Sequence, residues 1–188
     1  LNALMDSQKK RIHAWCEALS PQISYAIFNG NTPNEMNSTT EKASFPEITC
    51  RESVRSNPPQ ILFTNPTMLE YMLLRNSDQA ILQQSQGKLR WILLDETHSY
   101  SGSSAAELAL QLRRVLDAFG VTIDQVNFAA TSATIGDNPQ ELIEFVSRLT
   151  GKNTDDIEIV NGERIIPEMD ENALQNNIDE INKVFDIN

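Results

Sequence analysis

Apolar side chains at Leu1, Leu4, Met5, Ile12, Trp15 and Leu19 fall near helical spacing with Pro21 behind them, so residues 1–19 are predicted to form an amphipathic helix. A strand candidate over 23–28 is closed by Asn29-Gly30, and a second over 60–64 is introduced by Pro58-Pro59. Asn65-Pro66 then supplies an N-cap and a proline at the first helical position, ahead of an apolar face of Met68, Leu69, Met72 and Leu73. Helical structure over 78–86 is stopped by Gly87. The run Trp91-Ile92-Leu93-Leu94 shows no alternation, which predicts a strand covered on both faces, as in a parallel sheet flanked by helices. Ser104-Ala105-Ala106-Glu107 has the form of a capping box opening a helix with Leu108, Leu112, Val115, Leu116 and Phe119 inward, and Gly120 is placed to end it. Another strand over 126–130 leads into Thr131-Ser132-Ala133-Thr134, and a last helix begins at Asn138-Pro139 and stops at Gly151.

Strand and helix alternate from residue 23 to 151, which predicts a mostly parallel, three-layer α/β sheet. Residues 31–59, rich in Asn, Thr, Ser, Glu and Pro, are expected to form a long surface loop. Three regions result: 1–151 as the α/β body, 152–167 as a hairpin extension around Asn161-Gly162, and 168–188 as an acidic tail, helical or partly disordered. Ligands in such sheets collect at the carboxyl ends of the strands, so the polar clusters at Thr64-Asn65, Asp95-Glu96-Thr97-His98 and Ser132-Ala133-Thr134 are expected to line one edge together.

Charge refines this picture. The formal net charge is -11, but residues 155–188 carry ten acidic and two basic side chains, so the acidity is largely C-terminal. No basic stripe with interleaved aromatics occurs, and nucleic-acid contact would therefore rest on local donors and helix N-termini. No apolar stretch is long enough to cross a bilayer, and no signal peptide is visible. Two cysteines, Cys16 and Cys50, suit a reducing, cytoplasmic setting without a disulfide scaffold. His13 and Cys16 stand three apart on the first helix, but two ligands make no metal site, and a packed thiol beside a surface imidazole is the simpler reading. The chain opens at Leu1 without an initiator Met, as expected of a piece of a longer protein.

Two adjacent carboxylates at the end of an apolar strand can divide the labour of phosphoanhydride hydrolysis. Asp95 can hold Mg2+ on nucleotide phosphates, directly or through water, while Glu96 orients and deprotonates the attacking water. An acidic turn closing a strand is the plainer alternative. Ser132 and Thr134 are otherwise ordinary turn residues, and Thr64 is otherwise a plain helix cap.

Jointly the clusters resemble the first RecA-like domain of superfamily 2 helicases, the DEAD/DEAH-box ATPases. The resemblance rests on Asp95-Glu96-Thr97-His98 and Ser132-Ala133-Thr134, on Leu1-Asn2-Ala3-Leu4 with Gln8, on Phe28-Asn29-Gly30-Asn31-Thr32, and on the long motif running from Pro59 to Leu69. It covers about residues 1–151. His98-Ser99-Tyr100-Ser101-Gly102, followed by Leu112-Arg113-Arg114, is similar to the large helicase-related subgroup of DNA translocases. Thr97 departs from the commoner Ala, Cys or Leu at its place.

The resemblance implies ATP as substrate and Mg2+ as cofactor, with Asp95, Glu96 and His98 at the catalytic site and Asp95 on the metal. It makes Ser132, Ala133 and Thr134 the coupling segment, and Asn2, Ala3, Gln8, Gly30, Thr64 and Asn65 the nucleic-acid contacts. The implied partner is DNA rather than RNA, tracked 3' to 5', together with a second RecA-like domain of the same parent chain. Arg113 and Arg114 are expected in surface ion pairs. No Gly-x-x-x-x-Gly-Lys-Ser/Thr occurs, so the phosphate loop is expected upstream of Leu1 and the isolated fragment is expected to be inactive. Two other readings stay open: a degenerate RecA-like module that binds or scaffolds without catalysis, and an acidic interaction protein acting through its tail.

Overall fold

The computed structural model describes residues 2–19, 22–35, 45–132 and 139–160, and for residues 2–8 the backbone alone. Helix α1 (Asn2–Ala18) precedes β1 (Tyr25–Phe28), β2 (Glu47–Ile48) and α2 (Arg51–Ser56). Strand β3 (Ile61–Thr64), α3 (Pro66–Leu74), α4 (Gln79–Gln84), β4 (Trp91–Leu94), α5 (Ser103–Ala118), β5 (Asn127–Ala130) and α6 (Pro139–Thr150) follow.

Among the described residues every strand pairing is parallel, as the alternation of elements predicts. The strands form two sheets among the described residues, ordered β2-β1-β3 and β4-β5. In the first, Phe28 stands beside Thr64; in the second, Leu94 stands beside Ala130, so each sheet brings two strand ends together.

One core runs beneath both sheets. Ala26 and Phe28 of β1 meet Val54 of α2, Met68 and Met72 of α3, Ile81 and Leu82 of α4 and Val115, Leu116 and Phe119 of α5. A second cluster of Leu108, Leu112 and Leu149 packs α5 and α6 against Ile92, Leu94 and Phe128. Gly120 closes α5 at φ 62°, and a Cβ there would collide with Gln86 Oε1, so the backbone calls for glycine and the Gln86 side chain occupies the space it leaves.

Several expectations need correction. Residues 31–59 are not wholly a loop: β2 and α2 lie within them, because Cys50 caps α2 by accepting from Ser53 N and Val54 is buried beneath it. Strand β4 is covered on one face only: α5 and α6 pack on Ile92 and Leu94, while Trp91 is 58% and Leu93 70% exposed. The capping box at Ser104 does not form. Helix α5 starts two residues earlier, with Gly102 rather than Ser104 at the cap position, and Ser104 Oγ is spent on the turn, donating to Ser101 O and accepting from Ser101 N.

Residues 157–160 carry no strand, and the expected turn at Asn161-Gly162, the second hairpin arm and the acidic tail lie outside the described residues.

Candidate active site

At the carboxyl ends of β4 and β5 the chain makes one hydrogen-bonded knot, with Thr131 at its centre. The ladder continues one step past β5, since Thr131 N donates to Leu94 O at 2.9 Å. The Thr131 hydroxyl donates to Asp95 Oδ1 and accepts from Glu96 N at 3.2 Å. Its carbonyl accepts from Thr97 N at 2.9 Å and from Thr97 Oγ1 at 2.8 Å. A single residue thus grips all three leading positions of the Asp95-Glu96-Thr97-His98 box.

That grip has a conformational consequence. Glu96 lies in the left-handed region at φ 53°, ψ 44°, the only non-glycine with positive φ among the described residues. For an L-residue this costs about 1–2 kcal/mol. The bonds on either side of Glu96, and burial of Thr97 at 1% exposure, hold it there. The Thr97 hydroxyl therefore has a role that Ala or Leu could not supply. Glu96 itself projects into solvent, and its Oε2 lies 3.2 Å from His98 Nδ1.

Asp95 and Glu96 are both exposed, which leaves their carboxylates open to a charged ligand. Among the described residues no three His, Cys, Asp or Glu side chains gather as a metal cage. The donor set is thus one of exposed carboxylate oxygens with a single oxygen of Asp95 tied to Thr131, which fits Mg2+ carried on nucleotide phosphates and fits a transition-metal centre poorly.

The other strand-end pair is equally ordered. Thr64 Oγ1 donates to Phe28 O at 2.9 Å, pinning β3 to β1, so its first duty is structural. Asn65 caps α3 by accepting from Met68 N at 2.8 Å, with Pro66 at the helix start. Beyond β1, Asn29 N donates to Thr32 Oγ1 at 2.8 Å and Asn31 N to Asn29 Oδ1 at 2.9 Å, leaving Gly30 and Asn31 exposed. An open cleft of about 240 Å³ there is bordered by Lys9, Asn29, Asn31, Thr32 and Thr49.

The structure thus joins Asp95, Glu96 and His98 to the segment entering Ser132, and ties Thr64 to Phe28 at the end of β1, next to the loop holding Gly30, while Asn65 caps α3. These two assemblies belong to separate sheets. Asn2, Ala3 and Gln8 lie in α1, with their side chains outside the described residues; Ala133 and Thr134 are outside them altogether. Arg114 pairs with Glu70 at 2.6 Å, the surface ion pair expected of it, whereas Arg113 Nη1 donates to Ala109 O at 2.6 Å and Arg113 makes no ion pair among the described residues. Cys16 is buried, and His13 Nδ1 lies 3.2 Å from the Tyr25 hydroxyl.

Sequence reasoning assigned no role to Thr131 or Arg51. Thr131 is visible in the sequence as the first polar residue after β5, but that it stands beside Asp95 follows from the β4–β5 register, which pairs Leu94 with Ala130.

The profile of the DEAD/DEAH box helicase family matches residues 1–142. The chain is 32% identical over 112 residues to the Druantia protein DruE of Escherichia coli (strain UMEA 4076-1), covering 56% of this chain and 6% of that protein. It is 29% identical over 153 residues to the uncharacterized ATP-dependent helicase YprA of Bacillus subtilis (strain 168), covering 80% of this chain and 17% of that one. The crystal structure of the DUF1998 helicase MrfA bound to DNA superimposes with a TM-score of 0.54 at 26% identity, over 81% of this chain and 18% of that chain. The chain therefore spans less than a fifth of the length of each of these proteins. Matched over most of its length and folded like a solved helicase, the chain belongs to the DEAD/DEAH box helicase family.

Proposed function

We propose that these residues form part of the first RecA-like domain of an ATP-dependent, DNA-directed helicase or translocase, in which hydrolysis at the β4–β5 ends drives movement along a strand bound at the β1–β3 ends. The observation that carries this reading is the Thr131 knot. It fixes the Asp95 carboxylate and the backbone of Glu96 at the strand ends and continues directly into Ser132, so displacement of this turn is felt by the coupling segment. DNA is favoured because the DUF1998 helicase MrfA was crystallised with it.

Asp95 would hold Mg2+, directly or through water, and Mg2+ when bound neutralises the phosphate charge. Asp95 is oriented for that by the Thr131 hydroxyl. Glu96 takes the proton of the attacking water, its carboxylate presented to solvent by the left-handed turn. His98, beside Glu96, holds that carboxylate in place and can share its proton. The phosphate loop and the second RecA-like domain would come from other parts of the protein.

The test is ATP turnover by the full-length protein with and without single-stranded DNA or RNA, for wild type and Glu96→Gln. Wild type should hydrolyse ATP with stimulation by DNA, and the variant should still bind ATP while losing about 10²–10⁴-fold in rate. Nucleotide binding without turnover in the wild type would instead favour a degenerate binding module.

A further inference from the structure

Arg51 stands at the start of α2 and is only 7% exposed. A buried guanidinium ordinarily meets a carboxylate, yet among the described residues Arg51 makes no ion pair; the nearby Asp78 pairs with Arg55 instead. Its Nη2 donates to Asn29 O at 2.7 Å and its Nε to Thr32 O at 2.9 Å. Its Nη1 lies 3.9 Å from Met68 Sδ, in the first turn of α3, and the guanidinium sits 5.0 Å from the Phe28 ring centroid. Burial, then the neighbouring Arg75, push its pKa below the usual arginine value, so the cation is held there against its own solvation.

The backbone of α2 continues the same grip. Arg51 N donates to Pro33 O at 2.9 Å and Glu52 N to Asn34 O at 3.0 Å. Together these bonds draw four carbonyls of residues 29–34 toward α2, while Gly30 and Asn31 stay exposed. Because Arg51 also touches Met68, whose amide is capped by Asn65, one side chain sets the loop after β1 against the N-terminus of α3. A planar fork can satisfy two separated carbonyls at once; an ammonium on a flexible stem cannot hold the same geometry.

We propose that Arg51 is a positioning residue for nucleic-acid binding: it touches no nucleotide, and fixes the spacing between the Gly30–Asn31 loop and the α3 N-terminus so that both meet one strand. This rests on the reading that these strand ends bind nucleic acid. The cost of burying a cation that has no ion pair among the described residues is then offset by a loop whose carbonyls are turned inward, away from phosphate oxygens they would repel.

The experiment measures binding of a fluorescent oligothymidylate to the full-length protein over a range of salt, for wild type, Arg51→Lys and Arg51→Met, beside DNA-independent ATP turnover and thermal unfolding. Both variants should lose about tenfold or more in affinity, as for a lost charge-assisted hydrogen bond. The slope of log affinity against log salt should stay that of wild type, and turnover without DNA should stay within about twofold. A slope shallower by about 0.7 would mean a direct phosphate contact and overturn the proposal. Unchanged affinity, or full recovery by Lys, would equally overturn it, as would losses in turnover and folding that match the loss in binding. A wild type that hydrolyses ATP but binds no oligonucleotide would sink the underlying reading of the strand ends, and the role of Arg51 with it.

Discussion

Thr131 and Asp95 meet hydroxyl to carboxylate across the ends of two neighbouring parallel strands, and the same hydroxyl accepts the amide of Glu96. Thr131→Val keeps the shape but removes both bonds, so Asp95 loses its orientation and Glu96 part of its restraint. Steady-state turnover of the full-length protein should fall about 10- to 100-fold, the range for partners that orient metal-binding carboxylates. Thr131→Ser keeps the hydroxyl and should stay near wild type. Equal activity of the Val and Ser variants would show that the knot is not used.

Glu96 carries backbone strain as well as the carboxylate proposed to accept the proton of water, and the two can be separated. Glu96→Gly relieves the left-handed conformation at φ 53° and should stabilise the fold to urea by up to about 1 kcal/mol while abolishing hydrolysis. Glu96→Gln should abolish hydrolysis without that gain. If Gly proves no more stable than Gln in equilibrium unfolding, the strain is not stored at this residue.

The parts of this site that were legible in the sequence are those written in local pattern. Asn65-Pro66 announced a capped helix because cap and proline act within one turn, and the cap bond to Met68 N forms. Asp95 and Glu96 stand out because two adjacent carboxylates at a strand end can divide the labour of hydrolysis; on its own the pair reads equally as an acidic turn, and it is the other spaced motifs that decide between the two. The Thr131 knot was not legible in this way, because its bonds join residues 34–36 positions apart and depend on strand register. Arg51 was hidden by its neighbourhood: a polar, aperiodic stretch looks like loop, and nothing local reveals that its side chain reaches back 19 and 22 residues to Thr32 and Asn29. The expectation that β4 is covered on both faces fails for the opposite reason, since its composition is suited to cover that the described residues do not supply on one face.

Acid should loosen the contact between α3 and α5. The Arg114 hydrogen bond, aided by Gln111, holds the Glu70 carboxyl below its ordinary value of 4.5, so folding favours its charged form. The stability this adds is fully present above 4.5 and is lost as pH falls through the lower folded value. Both side chains are partly exposed, at 34% and 49%, so solvent screening keeps the effect small, within about 1 kcal/mol. Arg114→Met should flatten the stability profile between about pH 5 and 3, and an unchanged profile in urea melts would remove the pair from the acid response.

The exposed face of β4 makes a prediction that differs between the isolated chain and the whole protein. Trp91 and Leu93 point away from α5 and α6 and stand 58% and 70% exposed, and the outer edge of β4 has no strand beside it among the described residues. An apolar strand with an unpaired edge invites association, so residues 1–188 alone should self-associate in sedimentation and show no ATP turnover. There Leu93→Lys should cost less than about 0.5 kcal/mol of stability and reduce association, because the side chain is already in water. If another segment of the full-length protein covers this face, the same substitution buries a charge and should cost about 3 kcal/mol or more, with turnover lost through unfolding. A Leu93→Lys variant that is equally stable and active at full length would leave that face bare in the working enzyme and would remove the reason for an uninterrupted apolar run at β4.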